Sequence, residues 1–380
     1  MRFVLGMLGW FVVCFVAATC AAQNGTNLDK HAGWHDPSPH TVQFITVDKD
    51  VKLEVLDWGG SGRPLVFLAG LGDTAHVFDD FAPKLTSNYH VYGITRRGYG
   101  ASSVPAVGGA AYTADRLGDD VLAVLDALKI ERPVLVGHSI AGEELSSVGT
   151  RHPERVAGLV YLDAGYGYAY YDPVQGDYSI DSDDLQRKLE QMRTGPPDPM
   201  QLIQGLLQTD LPRFERDLQG MAANFKSYPP PPPAPTAADR ESFDAWRVWE
   251  NREIGFAVPE GELHQMFEST PDGHVGEPRT GPSIPQAVIA GEQKYRNIQV
   301  AALAIYAVPH DQGRYLDNNP AARSAAEASD AAKTEAQAKA FESGVPSARV
   351  VRLPHAGHYV FLTNEADVLR EMRAFIGRLS

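Results

Sequence analysis

Cysteine is nearly missing from this chain. Two occur in 380 residues, Cys14 and Cys20, and both lie in an apolar stretch that reads as an export signal. Met1-Arg2 supplies a positive start, Phe3 to Ala18 an apolar core, and Thr19-Cys20-Ala21-Ala22-Gln23 a small-residue cleavage site after Ala22. With residues 1–22 removed, the chain has no thiol. That excludes disulfides, thiolate nucleophiles and cysteine-ligated metals together. A retained membrane anchor is the rival reading, but the run is near the short limit for spanning, and lipidation at Cys20 meets a bulky Thr19. The expected location is secreted or periplasmic. Positive charge is also short. Lys and Arg total 34 against 48 Asp and Glu, a formal net charge of −14, which argues against nucleic acid or an anionic membrane surface as partner.

What is present suits a folded globular protein: 43% hydrophobic and 22% charged residues. No internal repeat is visible. Residues 23–40 are polar, carry an Asn24-Gly25-Thr26 sequon and three histidines (His31, His35, His40), and read as a flexible, solvated lead-in rather than a metal site. Thr41 to Val47 and Val51 to Trp58 alternate apolar and polar residues around Asp48-Lys49-Asp50, as an antiparallel hairpin at a sheet edge does. From Pro64 the rhythm becomes strand and helix in turn. Strands are predicted at Leu65–Leu68, His90–Ile94, Pro133–Val136 and Val156–Leu162, and helices at Thr74–Leu85 and Thr113–Leu128, the second capped by Thr113. Repeated units of this kind give an α/β fold with a doubly wound, mostly parallel sheet. The rhythm stops over 165–297, which holds five tyrosines between Tyr166 and Tyr178, helical stretches at Leu185–Met192 and Ala238–Phe256, and the Pro229–Pro233 run. This segment is expected to be an inserted, largely helical cap. The core, 41–164, resumes at 298–380 with a strand at Val300–Ala307, an alanine-rich helix over Asn319–Gly344, a strand at Ala348–Leu353 and a closing helix at Glu365–Ile376.

Gly137-His138-Ser139-Ile140-Ala141 joins the Pro133–Val136 strand to a helical stretch. A serine on so tight a turn needs small residues two places to either side, because the backbone is strained and chains approach closely. Gly137 and Ala141 meet that need. The N–H of Ile140, at the start of the helix, is placed to bind a developing oxyanion. A serine hydroxyl needs a base, and Pro354-His355-Ala356-Gly357-His358 follows the last strand. His358 is preferred, because Ala-Gly before it permits a tight loop; His355 reads as a loop residue. The imidazole in turn needs a carboxylate. Asp311, in Pro309-His310-Asp311, fits the chain order serine, acid, histidine; Asp163, ending the Val156–Leu162 strand, is the alternative acid at the same edge. The loop Ala69-Gly70-Leu71-Gly72 offers the Leu71 N–H as second oxyanion donor. It lacks the lysine and the spacing of a phosphate cradle.

Together these motifs, with the Arg97-Gly98-Tyr99-Gly100-Ala101-Ser102 turn, resemble the α/β-hydrolase superfamily over roughly Thr41 to Leu379. The oxyanion loop departs from the His-Gly often found there, and the turn around Asp311 lacks the common glycine. The resemblance implies the α/β-hydrolase fold, a serine nucleophile, no cofactor and no metal. An aspartate at 139 would point to a dehalogenase or epoxide hydrolase; serine disfavours both. The expected function is cleavage of a carboxylic ester, or similar acyl bond, of a small, partly apolar or aromatic substrate. Alternatives are an amidase, peptidase or lyase on the same triad, or a non-catalytic ligand-binding protein. Expected partners are a small-molecule substrate, with no nucleic acid and no stable membrane insertion after signal cleavage.

Overall fold

Each strand at the centre of the molecule is apolar on both faces, and the reason is visible in where its residues go. A computed structural model describes residues 34–227 and 231–379; the expected signal at 1–22, the Asn24 sequon, His31 and part of the proline run lie outside the described residues. The main sheet is built from β1 (Thr41–Asp48), β2 (Val51–Gly60), β3 (Arg63–Leu68), β4 (Tyr89–Ile94), β5 (Val134–His138) and β6 (Gly158–Leu162), with two later strands described below. Along β3, Leu65 and Phe67 enter one core cluster while Val66 and Leu68 enter the other; Val134 and Val136 of β5 oppose Leu135, and Val160 and Leu162 of β6 oppose Leu159 and Tyr161. Side chains alternate across a strand, so a sheet covered on both faces needs a continuous apolar run. Each fully buried aliphatic side chain contributes about 1.5–3 kcal/mol.

Helices α1 (Ala114–Leu128) and α2 (Gly142–Arg151) cover one face. Thr113 caps α1 by accepting from the N–H of Arg116, and Leu117, Val121 and Leu125 are buried in the same core cluster as Leu145 and Val148 of α2. The inserted cap contains α3 (Tyr178–Thr194), α4 (Pro199–Gly205), α5 (Leu211–Ser227), α6 (Phe243–Glu253), α7 (Glu260–Met266) and α8 (Ser283–Ile289), with a small hairpin of β7 (Phe267–Ser269) and β8 (Val275–Pro278). The core then resumes with β9 (Ala302–Ala307), α9 (Pro320–Gly344), β10 (Ala348–Leu353), α10 (Val360–Thr363) and α11 (Glu365–Ile376). Strand order is β1-β2-β4-β3-β5-β6-β9-β10, antiparallel at the β1–β2 and β2–β4 pairings and parallel beyond. The parallel strands therefore deliver the loops after β3, β5, β6, β9 and β10 to one edge.

Three expectations need correction. The predicted Thr74–Leu85 helix is two short 3-10 turns, Ala75–Phe78 and Ala82–Leu85; Pro83 has no N–H to continue a helix. The predicted Ala238–Phe256 helix starts only at Phe243, where the Ser242 hydroxyl caps the N–H of Ala245. Part of the expected flexible lead-in is anchored: Trp34 packs on His264 with ring centroids 4.1 Å apart, and Ser38 and His40 bond to Asp79 at 2.6 and 2.9 Å. Its polar side chains reach buried partners supplied by the core.

Helix α2 begins so close to the chain leaving β6 that a Cβ on Gly142 would stand 2.0 Å from the Ala164 carbonyl oxygen. A backbone oxygen cannot rotate away as a side chain can. Gly142→Ala is expected to destabilise the protein by about 1–3 kcal/mol, read from the urea unfolding midpoint; unchanged stability would show that the post-β6 loop has room to move.

Candidate active site

Ser139 sits at the β5–α2 junction with φ 53° and is buried. Left-handed backbone at a residue with a side chain costs on the order of 1–3 kcal/mol, and packing holds it here. A Cβ on Gly137 would meet Leu145 Cδ1 at 2.9 Å, so glycine there lets α2 pack close over the end of the strand. Tyr168, at the start of the cap, is buried; burial pushes its phenol well up and the Ser139 side chain counters part of that. Ile140 lies in the first turn after the serine, where N–H groups have no helical acceptor.

The loop after β3, which carries Leu71, is held from below by one buried guanidinium. Arg96 donates to the carbonyls of Ala69 and Gly70 at 2.9 and 3.0 Å, and its other donors grip both oxygens of Glu144 at 2.8 Å each. Glu144 belongs to α2. The helix that follows the serine and the loop after β3 are thus fastened to the same planar fork.

His358 follows β10, and its Nδ1 lies 2.6 Å from Asp163 Oδ2. The carboxylate at His358 is therefore Asp163, the alternative acid, and not Asp311. Asp311 accepts from the N–H of Gly313 at 3.1 Å and from Arg323 at 3.4 Å, with its side chain 41% exposed. The reason is parity. His310 bridges to Ala356 in extended pairing, and neighbouring side chains of an extended segment point to opposite sides. Turning His310 inward turns Asp311 out. His355 (φ 55°) is exposed, its N–H bonded to the Pro309 carbonyl.

Asp163, φ 48°, is fully buried and saturated with donors. Oδ1 accepts from Tyr166 Oη at 2.8 Å and from the N–H of Ala307 at 3.1 Å; Oδ2 faces His358 Nδ1 and, at 2.7 Å, His310 Nε2. His310 is fixed from behind by Asp330, 2.9 Å from its Nδ1. Burial alone would push the His310 imidazole down, but the two carboxylates outweigh it and raise its pKa to about 10. Burial alone would likewise raise Asp163; the two imidazoles outweigh it and hold the carboxyl well below the usual range. His358 goes the other way. Burial, with the neighbouring His138 and charged His310, keeps its pKa below the ordinary value despite Asp163. A histidine that is neutral near pH 7 can accept a proton. His138 also ties the loop to the elbow: its Nε2 lies 3.2 Å from the His358 carbonyl oxygen, and the two rings are 4.7 Å apart.

The structure thus brings Asp163 and His358 together by direct bonding, and sets Ser139 and the Leu71 loop on the same sheet edge. Sequence reasoning missed the roles of Tyr166, Tyr168, His310, Asp330 and the Arg96–Glu144 pair. The adjacency of His310 to Asp311 is a signal in the sequence; the tyrosines read there only as cap aromatics.

Residues 63–365 match the profile of the alpha/beta hydrolase fold family. Among curated relatives, epoxide hydrolase A of Mycobacterium tuberculosis is 36% identical over 114 residues, 30% of this chain and 35% of that protein. The 2-hydroxymuconate semialdehyde hydrolase of Pseudomonas sp. is 36% identical over 106 residues, 27% of this chain and 37% of that protein. The chain spans about two fifths of the length of the curated relatives it matches. A solved structure of E-2-(acetamidomethylene)succinate hydrolase covers 89% of this chain and 99% of its own, at 16% identity and a TM-score of 0.56; that likeness is one of fold.

Two outcomes follow from this geometry. Glu144→Ala leaves the Arg96 charge buried and half-paired, and is expected to cost about 3–5 kcal/mol in equilibrium unfolding; a loss under about 1 kcal/mol would mean the pair is replaceable by water. His310 has a folded pKa raised above its unfolded value of about 6.5, so its contribution is complete below that value and fades as pH rises toward about 10. The stability gap between wild type and His310→Gln is accordingly expected to be widest near pH 6 and to close toward pH 10. A gap that widens with pH would overturn the assignment of charge to His310.

Proposed function

The chain belongs to the α/β-hydrolase fold family, and from that premise we propose that it is a serine hydrolase of small acyl substrates, carboxylic esters in the first instance. Ser139 is the nucleophile, His358 the general base and then acid, and Asp163 the group that orients the imidazole and stabilises its charged form. The Leu71 and Ile140 N–H groups bind the tetrahedral oxyanion. The observation that carries this reading is the 2.6 Å bond from His358 to a buried, ionised Asp163, on the sheet edge where a left-handed serine ends β5. Ser139 stands where an aspartate nucleophile would favour the chemistry named for the epoxide hydrolase relative. Tyr166, Tyr168 and the aromatic cap residues favour a partly apolar or aromatic substrate. Residues 1–22, read as an export signal, favour action outside the cytoplasm, and no helix among the described residues is long and apolar enough to cross a membrane.

A fluorophosphonate probe should label wild type at Ser139 and leave Ser139→Ala unlabelled. Against a panel of acyl and aryl esters, Asp163→Asn is expected to lower kcat by about a thousandfold or more, with Asp311→Asn close to wild type. No labelling of the folded wild type would favour a ligand-binding protein. A loss confined to Asp311→Asn would return the acid to position 311.

A further inference from the structure

A second group of histidines and aspartates converges far along the chain from the triad. Asp36 and His40 come from the lead-in; His76 and Asp79 come from the first 3-10 turn after β3 and the residue that ends it. His76 Nδ1 is 3.1 Å from Asp36 Oδ2 and 3.0 Å from Asp79 Oδ2, His40 Nδ1 is 2.9 Å from Asp79 Oδ1, and His40 Nε2 is 3.9 Å from Asp36 Oδ2. One donor atom from each residue lies within 4.8 Å of all the others. In a tetrahedral sphere with bonds of about 2.0–2.1 Å the ligand atoms stand about 3.3 Å apart; the one set His76 Nδ1, Asp36 Oδ2 and Asp79 Oδ2 has spacings of 3.1 and 3.0 Å from the imidazole nitrogen, close to that value.

The surroundings are built as a metal's outer sphere is built. Ser38 Oγ donates to Asp79 Oδ1 at 2.6 Å, Trp58 Nε1 to the same oxygen at 3.2 Å, and the Ser38 N–H to Asp36 Oδ1 at 2.9 Å, so both carboxylates are oriented. Both imidazole side chains are only 5% exposed, and His76 Nε2 is buried without a hydrogen-bond partner, 3.6 Å from Glu54 Oε1. From the cap, Gly261 makes room for the pair of carboxylates. A Cβ there would stand 2.8 Å from Asp36 Oδ2 and 3.0 Å from Asp79 Oδ2. Asp36, at 19% exposure, leaves a way in from solvent.

We propose that Asp36, His40, His76 and Asp79 form a structural site for a divalent cation of the zinc type. Two imidazole nitrogens and two carboxylate oxygens suit that ion, and the two carboxylates balance its charge. The ion staples the lead-in to the loop between β3 and β4, doing for a chain without cysteine among its described residues what a disulfide does elsewhere. The expectation of no metal comes from the family resemblance, and the lead-in histidines His31, His35 and His40 are weighed there without His76 and Asp79. The ligand pairs 36/40 and 76/79 are brought together by the fold. The site is independent of the hydrolase reading.

The test is titration of the chelator-stripped full chain with zinc chloride, by calorimetry and by thermal unfolding in parallel. One tight equivalent per chain is expected, with Tm raised by about 5 °C at a hundredfold excess over Kd. Binding should survive His358→Ala, which dismantles the other converging set, Asp163, His310 and His358. It should weaken by about tenfold or more in His40→Gln and in Asp36→Asn, edge variants whose fold is checked by circular dichroism, so the test stands even if Asp79→Asn fails to fold. The proposal is overturned if wild type binds no zinc, if both edge variants bind as wild type does, or if His358→Ala alone abolishes binding.

Discussion

Asp163 is the group on which the rest of the site depends. A carboxylate with no exposed surface costs several kcal/mol to keep ionised unless donors and positive charge surround it. Here the fold assembles them from four directions: a tyrosine three residues on, the N–H of the last β9 residue, and a histidine from each of the next two loops. One of those histidines carries the compensating charge. With His310 protonated, Asp163 is neutralised without taking a proton from His358, and the His358 imidazole stays neutral near pH 7. The left-handed backbone of Asp163 is the local strain this concentration of bonds can hold.

The second constraint is mechanical. In the proposed reading nucleophile and oxyanion donors must be held in fixed relation, yet they lie on loops from different strands. Arg96 solves this from beneath, bonding the β3 loop through two carbonyls and α2 through Glu144. His138 adds a third tie, from the elbow to the His358 backbone. The ties come from buried groups beneath the sheet edge.

Much of this could be read in order along the chain. The apolar runs of β3, β5, β6 and β9, the Thr113-capped helix, and Gly137 to Ala141 are local signals, because propensity, alternation and turn sterics act over a few residues. Other features were not local. The helix expected at 74–85 gave way to two turns because Pro83 interrupts it, with His76 and Asp79 drawn into a polar cluster with residues 40 places earlier in the chain. Within the cap, the short hairpin of β7 and β8 carried too few residues to announce itself.

The sequence by itself determined the class of fold, the tight turn that carries Ser139 and the loop that carries His358, since each is encoded in a stretch whose neighbours dictate its backbone. Only the tertiary structure decided which carboxylate meets His358. Asp163 and Asp311 both follow strands and both suit the chain order of the parts, and nothing within either segment separates them. The choice turned on which side chain of an extended pair faces inward. Position 310 took the inner side because Asp163 and Asp330 were there to receive an imidazole, and that is a fact about three distant segments meeting, which no single stretch contains.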